Sequence, residues 1–237
     1  MTSITADIGR AVDRGRGDPV GALAGLAFAL CFFVGIAMLE IPRHASDQEL
    51  VAWWARSGNQ ATAVVSMYLF VVAGLSFLVL LVRLRSRFLA AEGGTGDLTA
   101  LVFSSGVVFV AMLMIAAAAR GVIGFAALSP ANDEPLPGPD TLRFLPQIGY
   151  TVTGTAGLLA AAMTMASASW LVARTAVFGK WLVWVGAVAT VAVVGATFAL
   201  SAVLAIPALL GWAIATCIAL WRGPSVAPTT NEQRART

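Results

Sequence analysis

Two residues of opposite charge stand at or inside long apolar stretches of this 237-residue chain. Glu40 closes the first apolar run, and Arg120 lies within the run over residues 98–128. A helix that begins at Asp97 would carry Arg120 to about 35 Å, near the far edge of a hydrocarbon layer of about 30 Å. Glu40 would reach the same depth from the same side. We therefore expect Glu40 and Arg120 to form a structural or functional intramembrane pair; the alternative is that Arg120 snorkels to the outer headgroups.

Few other residues offer catalytic or metal-binding chemistry. His44 is the single histidine, which excludes a paired-histidine haem site or a histidine-rich metal cluster built from this chain alone. A lipid-modifying enzyme would need an acid–base pair, and only His44, Asp47 and Glu49 are close together in sequence. The glycines of residues 93–96 lack the Gly-Lys-Ser/Thr of a phosphate-binding loop. We predict no catalytic residue, no metal site and no cofactor, and therefore no enzyme.

The composition indicates that the chain lies in a lipid bilayer, which is its first expected partner. Hydrophobic residues make up 59% of the chain and charged residues 11%, whereas about a quarter of a soluble domain is charged. The apolar residues fall in long blocks without period-two alternation, which favours a helical bundle over an outer-membrane barrel. Basic residues lie singly or in twos and threes between these blocks, so the pattern gives no indication of nucleic-acid binding.

The apolar blocks predict an all-α membrane protein with a six-transmembrane-helix bundle. We expect an N-terminal segment over residues 1–19, a transmembrane domain over residues 20–222 and a disordered tail over residues 223–237. The last reversal contains no charged residue, and Pro207 suits the first turn of span six. The six predicted spans are residues 20–39, 61–82, 98–128, 144–172, 181–200 and 204–221.

The loop after span one has the signature of a short amphipathic outer helix. Ser46 and Glu49 have the spacing of a capping box, which predicts a helix from Asp47 to about residue 56. Trp53 and Trp54 would then anchor this helix at the outer membrane interface. An alternative is a lid over a pocket that opens outward.

The other connections and the small residues give further expectations. Residues 130–146 hold five of the ten prolines and should be extended, and Asp97 is placed to cap span three. Gly21 and Gly25 would let another helix approach span one closely. Span four should be the central, most closely packed helix because small residues recur every fourth position: Gly149, Thr153, Gly157 and Ala161. Cys31 and Cys217 are expected to be core residues rather than a disulfide.

The distribution of basic residues predicts the orientation. Eleven Lys and Arg residues lie in the two termini and in the turns after spans two and four, and four lie on the opposite side. The positive-inside rule therefore places both termini in the cytoplasm.

The segment from Ala45 to Trp54 after Pro42, and the exit from span two through Val82-Arg83-Leu84-Arg85, resemble a family of uncharacterised bacterial integral membrane proteins with six spans. Residues 178–186, Phe-Gly-Lys-Trp-Leu-Val-Trp-Val-Gly, are similar to the start of that family's span five, although its usual Pro-Arg is replaced by Gly179-Lys180. The likeness covers most of residues 20–222. It implies a six-span protein of the bacterial inner membrane, and no activity or ligand.

These patterns predict a non-enzymatic membrane protein that binds a lipid or a partner membrane protein, which could be a second copy of the chain. The alternative is a small transport component, such as a permease-like subunit, because six spans in fewer than 250 residues suit one.

Overall fold

The computed structural model describes residues 17–38, 41–42, 45–129, 135–199 and 202–223. In these ranges the chain is helical and contains no strand. A π-helical turn, Thr153–Gly157, joins α5 to α6, so that the two helices form one span. The helices are α1 (Pro19–Met38), α2 (Asp47–Trp54), α3 (Ser57–Glu92), α4 (Asp97–Leu128), α5 (Pro139–Val152), α6 (Leu158–Thr175), α7 (Trp181–Phe198) and α8 (Ala202–Arg222).

Six helical segments of the described chain are long and apolar enough to cross a membrane: α1, α3, α4, the α5–α6 span, α7 and α8. The mean hydropathy of their most apolar windows lies between 1.6 and 2.6. The short helix α2 lies between spans one and two. The predicted fold class, a six-helix integral membrane protein with a short helix after span one, is therefore confirmed. Residues 1–16 and 224–237, which hold most of the two predicted terminal segments, lie outside the described residues.

Span two is longer than the predicted 61–82. Helix α3 runs from Ser57 to Glu92, since residues 83–92 contain no Gly or Pro and Arg and Leu favour a helix. It ends where Gly93 adopts a left-handed conformation, with φ 63°. The nine residues that follow Arg83, up to Glu92, add about 14 Å to the helix. The α3–α4 hairpin therefore extends beyond the membrane boundary that Arg83 marks.

The predicted cap of span three is wrong, because Glu92 takes the place of Asp97. The Glu92 carboxylate accepts hydrogen bonds from the N–H groups of Leu98 and Thr99, both at 3.0 Å, and from the Thr99 hydroxyl at 2.5 Å. Asp97 instead accepts a hydrogen bond of 2.6 Å from the Thr95 hydroxyl. Gly96, with φ 77°, turns the chain so that the last residue of α3 caps α4.

The segment between spans three and four is helical from Pro139 onward, which corrects the extended loop predicted over residues 130–146. Pro139 lies in the first turn of α5, where its missing N–H leaves no hydrogen bond unmade. Leu142 is buried in a cluster with Leu50, Trp54, Ala63 and Ile123, so α5 is fixed over the outer ends of α3 and α4. Span four therefore runs over Pro139–Thr175 rather than residues 144–172.

The six spans form a ring in which each packs on the next in chain order and α8 packs on α1. Two glycines of α1 permit this closure. A Cβ on Gly25 would overlap the Cys217 sulfur of α8, and one on Gly21 would lie 3.1 Å from Leu220. The small residues of span one therefore serve packing within the chain. Cys217 is buried, Cys31 is half-buried, and both are free thiols.

Aromatic side chains fill the interior of the ring. The Phe77 ring centroid lies 4.7 Å from that of Phe28, 5.2 Å from that of Phe109 and 6.4 Å from that of Trp212. These four side chains come from α1, α3, α4 and α8 and are fully or almost fully buried. Span four is the most enclosed of the six, since 61% of its most apolar window is buried against 33–50% in the others. The burial agrees with the predicted close packing of span four, but no span of the ring is central, so that part of the prediction is wrong.

Candidate functional site

Arg120 is buried between three spans. Its residue is only 5% exposed, and its guanidinium carbon lies 4.2 Å from the ring centroid of Tyr150 and 4.9 Å from that of Phe70. The two rings belong to α5 and α3 and face the cation of α4. Such cation–π contacts strengthen when water is removed, to about 2 kcal/mol or more each. The arginine therefore joins spans two, three and four through its charge.

The depth of Arg120 follows from its neighbour Phe70. Thirteen residues separate Phe70 from Arg83, which corresponds to about 20 Å along α3. In a hydrocarbon layer of about 30 Å that starts at Arg83, the guanidinium lies well inside the layer. The sequence estimate placed it nearer the far edge because it started the layer at Asp97, whereas α4 begins outside the membrane. An ionisable group at this depth is costly and is a functional candidate by default.

Snorkelling of Arg120 to the lipid headgroups is wrong for this structure, because the side chain is enclosed by protein. Gly149 makes room for it: a Cβ at that position would lie 2.5 Å from Arg120 Cγ and 2.8 Å from the Ala116 carbonyl oxygen. Glu40, the predicted partner of Arg120, lies outside the described residues, so the pair stays a prediction.

A π-helical turn follows the arginine site directly. Thr153–Gly157 begins three residues after Tyr150, and the Thr153 hydroxyl donates a hydrogen bond of 3.0 Å to the Gly149 carbonyl oxygen. π-helical turns often mark functional positions in a helix. The irregular turn of span four therefore adjoins the buried cation.

Two buried hydroxyls bridge neighbouring spans. Ser66 on α3 donates to the Gly35 carbonyl oxygen of α1 at 2.7 Å, and Ser105 on α4 lies 2.9 Å from the hydroxyl oxygen of Thr164 on α6. Hydrogen bonds between transmembrane helices contribute about 0.6 kcal/mol each on average and more in the best geometries. They fix the relative position of the first four spans.

The predicted anchoring role of Trp54 at the outer interface is wrong. Leu50 and Trp54 lie four residues apart on one face of α2, and this face packs onto α5, so that Trp54 is 0% exposed. The Gln60 side chain donates a hydrogen bond of 2.8 Å to the Trp54 carbonyl oxygen. Trp53 remains partly exposed, with its ring edge-on to that of Trp54 at 4.9 Å. Only Trp53 is placed to reach the headgroups.

The capping box of α2 is confirmed. The Ser46 N–H donates to the Glu49 carboxylate at 2.8 Å, and the Glu49 N–H donates to the Ser46 hydroxyl at 3.4 Å. The first of these bonds is the main reason that the pKa of Glu49 lies below its usual range. Arg143 of α5 binds the Asp47 carboxylate at 2.9 Å, an exposed ion pair that adds little stability.

A groove of about 380 Å³ lies between α7 and α8. Helix α7 contributes two rows of side chains to it, and α8 contributes Pro207 and Gly211 as its floor. Space beside Gly211 is open, with no atom within 4 Å of where a Cβ would lie. The lining is almost wholly apolar: Trp184, Val185, Val188, Ala189, Pro207, Ala208, Gly211 and Trp212.

Sequence patterns pointed to Arg120 and to Gly149 but not to the two rings. Gly149 belongs to the predicted stripe of small residues, whereas Phe70 and Tyr150 are ordinary members of apolar segments until the spans are packed. No group of three or more His, Cys, Asp or Glu residues is close enough to hold a metal ion within the part of the chain that the structure describes.

Comparison of the chain with models of protein families, with curated proteins and with solved structures finds no match. The resemblance to a six-span bacterial family therefore stays a prediction.

Proposed function

We propose that this integral membrane protein binds a membrane component, a lipid or a partner protein, without catalysing a reaction on it. The observation that supports the proposal is the groove between α7 and α8. Large side chains such as Trp184 and Val188, 74% and 65% exposed, flank an open space beside Gly211. Ligand sites are usually lined mainly by hydrophobic and aromatic side chains, as this groove is.

The test is native mass spectrometry of the protein after gentle extraction, with a variant that fills the groove. Gly211→Leu places a side chain in the open space, and Gly195→Leu is the matched control on α7, because no atom lies within 4 Å of its Cβ position either. We expect the native chain and Gly195→Leu to retain a component of defined mass, and Gly211→Leu to lose it. Equal retention by the two variants, or no retained component, would contradict the proposal.

A second candidate function is a small transport component. Two observations favour it: Arg120 is a buried charge at membrane depth, and the π-helical turn Thr153–Gly157 adjoins it. Copurification with an ATPase from gently solubilised membranes would support this function. A chain that purifies without any ATPase under conditions that preserve such complexes would count against it.

We place the chain in a bacterial inner membrane with both termini in the cytoplasm. The excess of Lys and Arg at one end of the bundle supports this orientation. Single cysteines introduced at Gly94 and at Asn132, after replacement of Cys31 and Cys217 by alanine, can be labelled with a membrane-impermeant reagent. Intact cells should label Asn132→Cys and spare Gly94→Cys, and the reverse result would overturn the orientation.

A further inference from the structure

The groove between α7 and α8 lies near the middle of the two helices. Its α8 residues, from Pro207 to Trp212, lie about 15 to 22 Å along the helix from Arg222 at the basic end of the bundle. Nine residues separate Lys180, at the start of α7, from Ala189, the last groove residue of that helix, which corresponds to about 14 Å. This is about half of a hydrocarbon layer of about 30 Å. The groove covers only about 8 Å of each helix, at a depth that an acyl chain of the leaflet at the basic end can reach, whereas a partner helix would need the whole span.

Two cations lie at the end of the α7–α8 pair that faces the surface of that leaflet. Lys180 precedes the first residue of α7, and Arg222 is the last residue of α8. Both are exposed, and because α7 and α8 are antiparallel neighbours, both lie at the same end of the pair. Long basic side chains extend readily to lipid headgroups.

Three exposed tryptophans lie at the same end of the α7–α8 pair as Lys180 and Arg222. Trp181, Trp184 and Trp221 are 40%, 74% and 62% exposed. Tryptophan rings favour the glycerol and headgroup region of a bilayer. The basic end of the α7–α8 pair therefore lies at the interface, and the apolar groove lies deeper in the bilayer.

All charged side chains of the last three helices, α6 to α8, are basic. Residues 141–223 contain no Asp or Glu. In the described part of the chain three carboxylates of neighbouring helices lie at this end, and all three are engaged: Asp18 accepts from the Gly21 N–H at 3.0 Å, Glu92 caps α4, and Asp97 accepts from the Thr95 hydroxyl at 2.6 Å. Lys180 and Arg222 are thus available for an external anion.

We infer that the groove between α7 and α8 binds an acidic glycerophospholipid of the leaflet at the basic end, with one acyl chain along Val188 and Gly211 and its phosphate between Lys180 and Arg222. The inference rests on the proposed function and names the component. Basic pockets between transmembrane helices on the cytoplasmic side commonly bind acidic lipid headgroups.

The experiment compares two lipids with identical acyl chains, phosphatidylglycerol and phosphatidylcholine, titrated into the delipidated full-length protein and followed by native mass spectrometry. Each basic residue near a membrane surface strengthens the binding of acidic lipid about fivefold, so Lys180→Gln with Arg222→Gln should weaken phosphatidylglycerol binding about 25-fold. Binding of phosphatidylcholine should change little. Gly211→Leu should weaken the binding of both lipids.

The matched control is Arg85→Gln with Arg87→Gln, which removes the same charge at the same end of the bundle but on α3. It should retain the preference for phosphatidylglycerol. Equal binding of both lipids to the native chain, or an equal loss in the control, would overturn the inference. If Gly211→Leu displaces a protein or a neutral lipid instead, the inference fails and the proposed function stands. If Gly211→Leu displaces nothing, both fail.

Discussion

Span four and α7 are neighbours in the ring, yet 61% of the most apolar window of span four is buried against 33% of that of α7. Span four touches α4 along most of its length, and its small residues let other side chains approach closely. Helix α7 packs on α6 through Gly186, whose missing side chain accommodates Ser169, and on α8. Its other side faces the membrane. Span four therefore encloses its contacts, while α7 leaves an open surface.

The hydrogen bonds of the Ser and Thr side chains also differ between the two regions. In the first four spans Ser66 and Ser105 form hydrogen bonds to other spans. In α7 and α8, Thr190, Thr197 and Thr216 donate to carbonyl oxygens of their own helices. Apolar burial does little to drive helices together in a bilayer, so packing and interhelical hydrogen bonds specify their positions. The first four spans thus have a defined arrangement around Arg120, and the α7–α8 pair has a surface suited to a ligand.

The largest effect should come from filling the space at Gly149. Gly149→Val would place a side chain against Arg120 Cγ and the Ala116 carbonyl oxygen, and should lower the free energy of unfolding by about 3 kcal/mol. Unfolding in mixed detergent micelles, followed by tryptophan fluorescence, measures it. Gly154→Val is the control, since no atom lies within 4 Å of its Cβ position. If Gly149→Val and Gly154→Val lowered the free energy of unfolding equally, the difference between enclosed and open surfaces would be contradicted.

A smaller loss should follow removal of the ring that faces Arg120. Tyr150→Leu removes the contact at 4.2 Å and should cost about 2 kcal/mol, whereas Tyr150→Phe retains the ring and should cost less. Tyr68→Leu is the matched control, because Tyr68 is 53% exposed on the outer surface of α3. The same unfolding measurement applies. If Tyr68→Leu is as costly as Tyr150→Leu, the cation–π contact does not stabilise the first four spans.

The smallest effect should come from the cap that joins α3 to α4. Glu92→Ala removes the acceptor for the N–H groups of Leu98 and Thr99 and should cost about 1 kcal/mol, as N-cap substitutions do. Hydrogen exchange should quicken at those two amides. Asp97→Ala, at the cap position that the sequence predicted, should leave their exchange nearly unchanged. Faster exchange in Asp97→Ala than in Glu92→Ala would reverse the assignment.

Features that depend on local sequence were predictable. The capping box of Ser46 and Glu49 requires residues three apart on one short segment, and the six spans follow from length and hydropathy. The Glu92 cap was not predictable, because its six-residue reach depends on how Gly93 and Gly96 turn the chain between two helices.

The environment of Arg120 needed the packed structure for a similar reason. Its rings come from residues 50 positions before it and 30 after it, and no local period relates them. The burial of Trp54 also depends on α5, which begins at Pro139 inside a segment whose prolines indicated a loop. Contacts between distant segments decide both features.

The place of Arg120 in the first four spans is tested most directly by a double-mutant cycle with Glu40. If Glu40 pairs with Arg120 as the sequence predicts, Arg120→Leu and Glu40→Leu should each lower thermal stability in detergent, and the double substitution should recover part of the loss, because removing one partner of such a pair leaves the other without its counter-charge. The coupling should exceed the value of a surface pair, about 0 to 1 kcal/mol. If the two losses simply add, Glu40 does not pair with Arg120, and the predicted pair is contradicted.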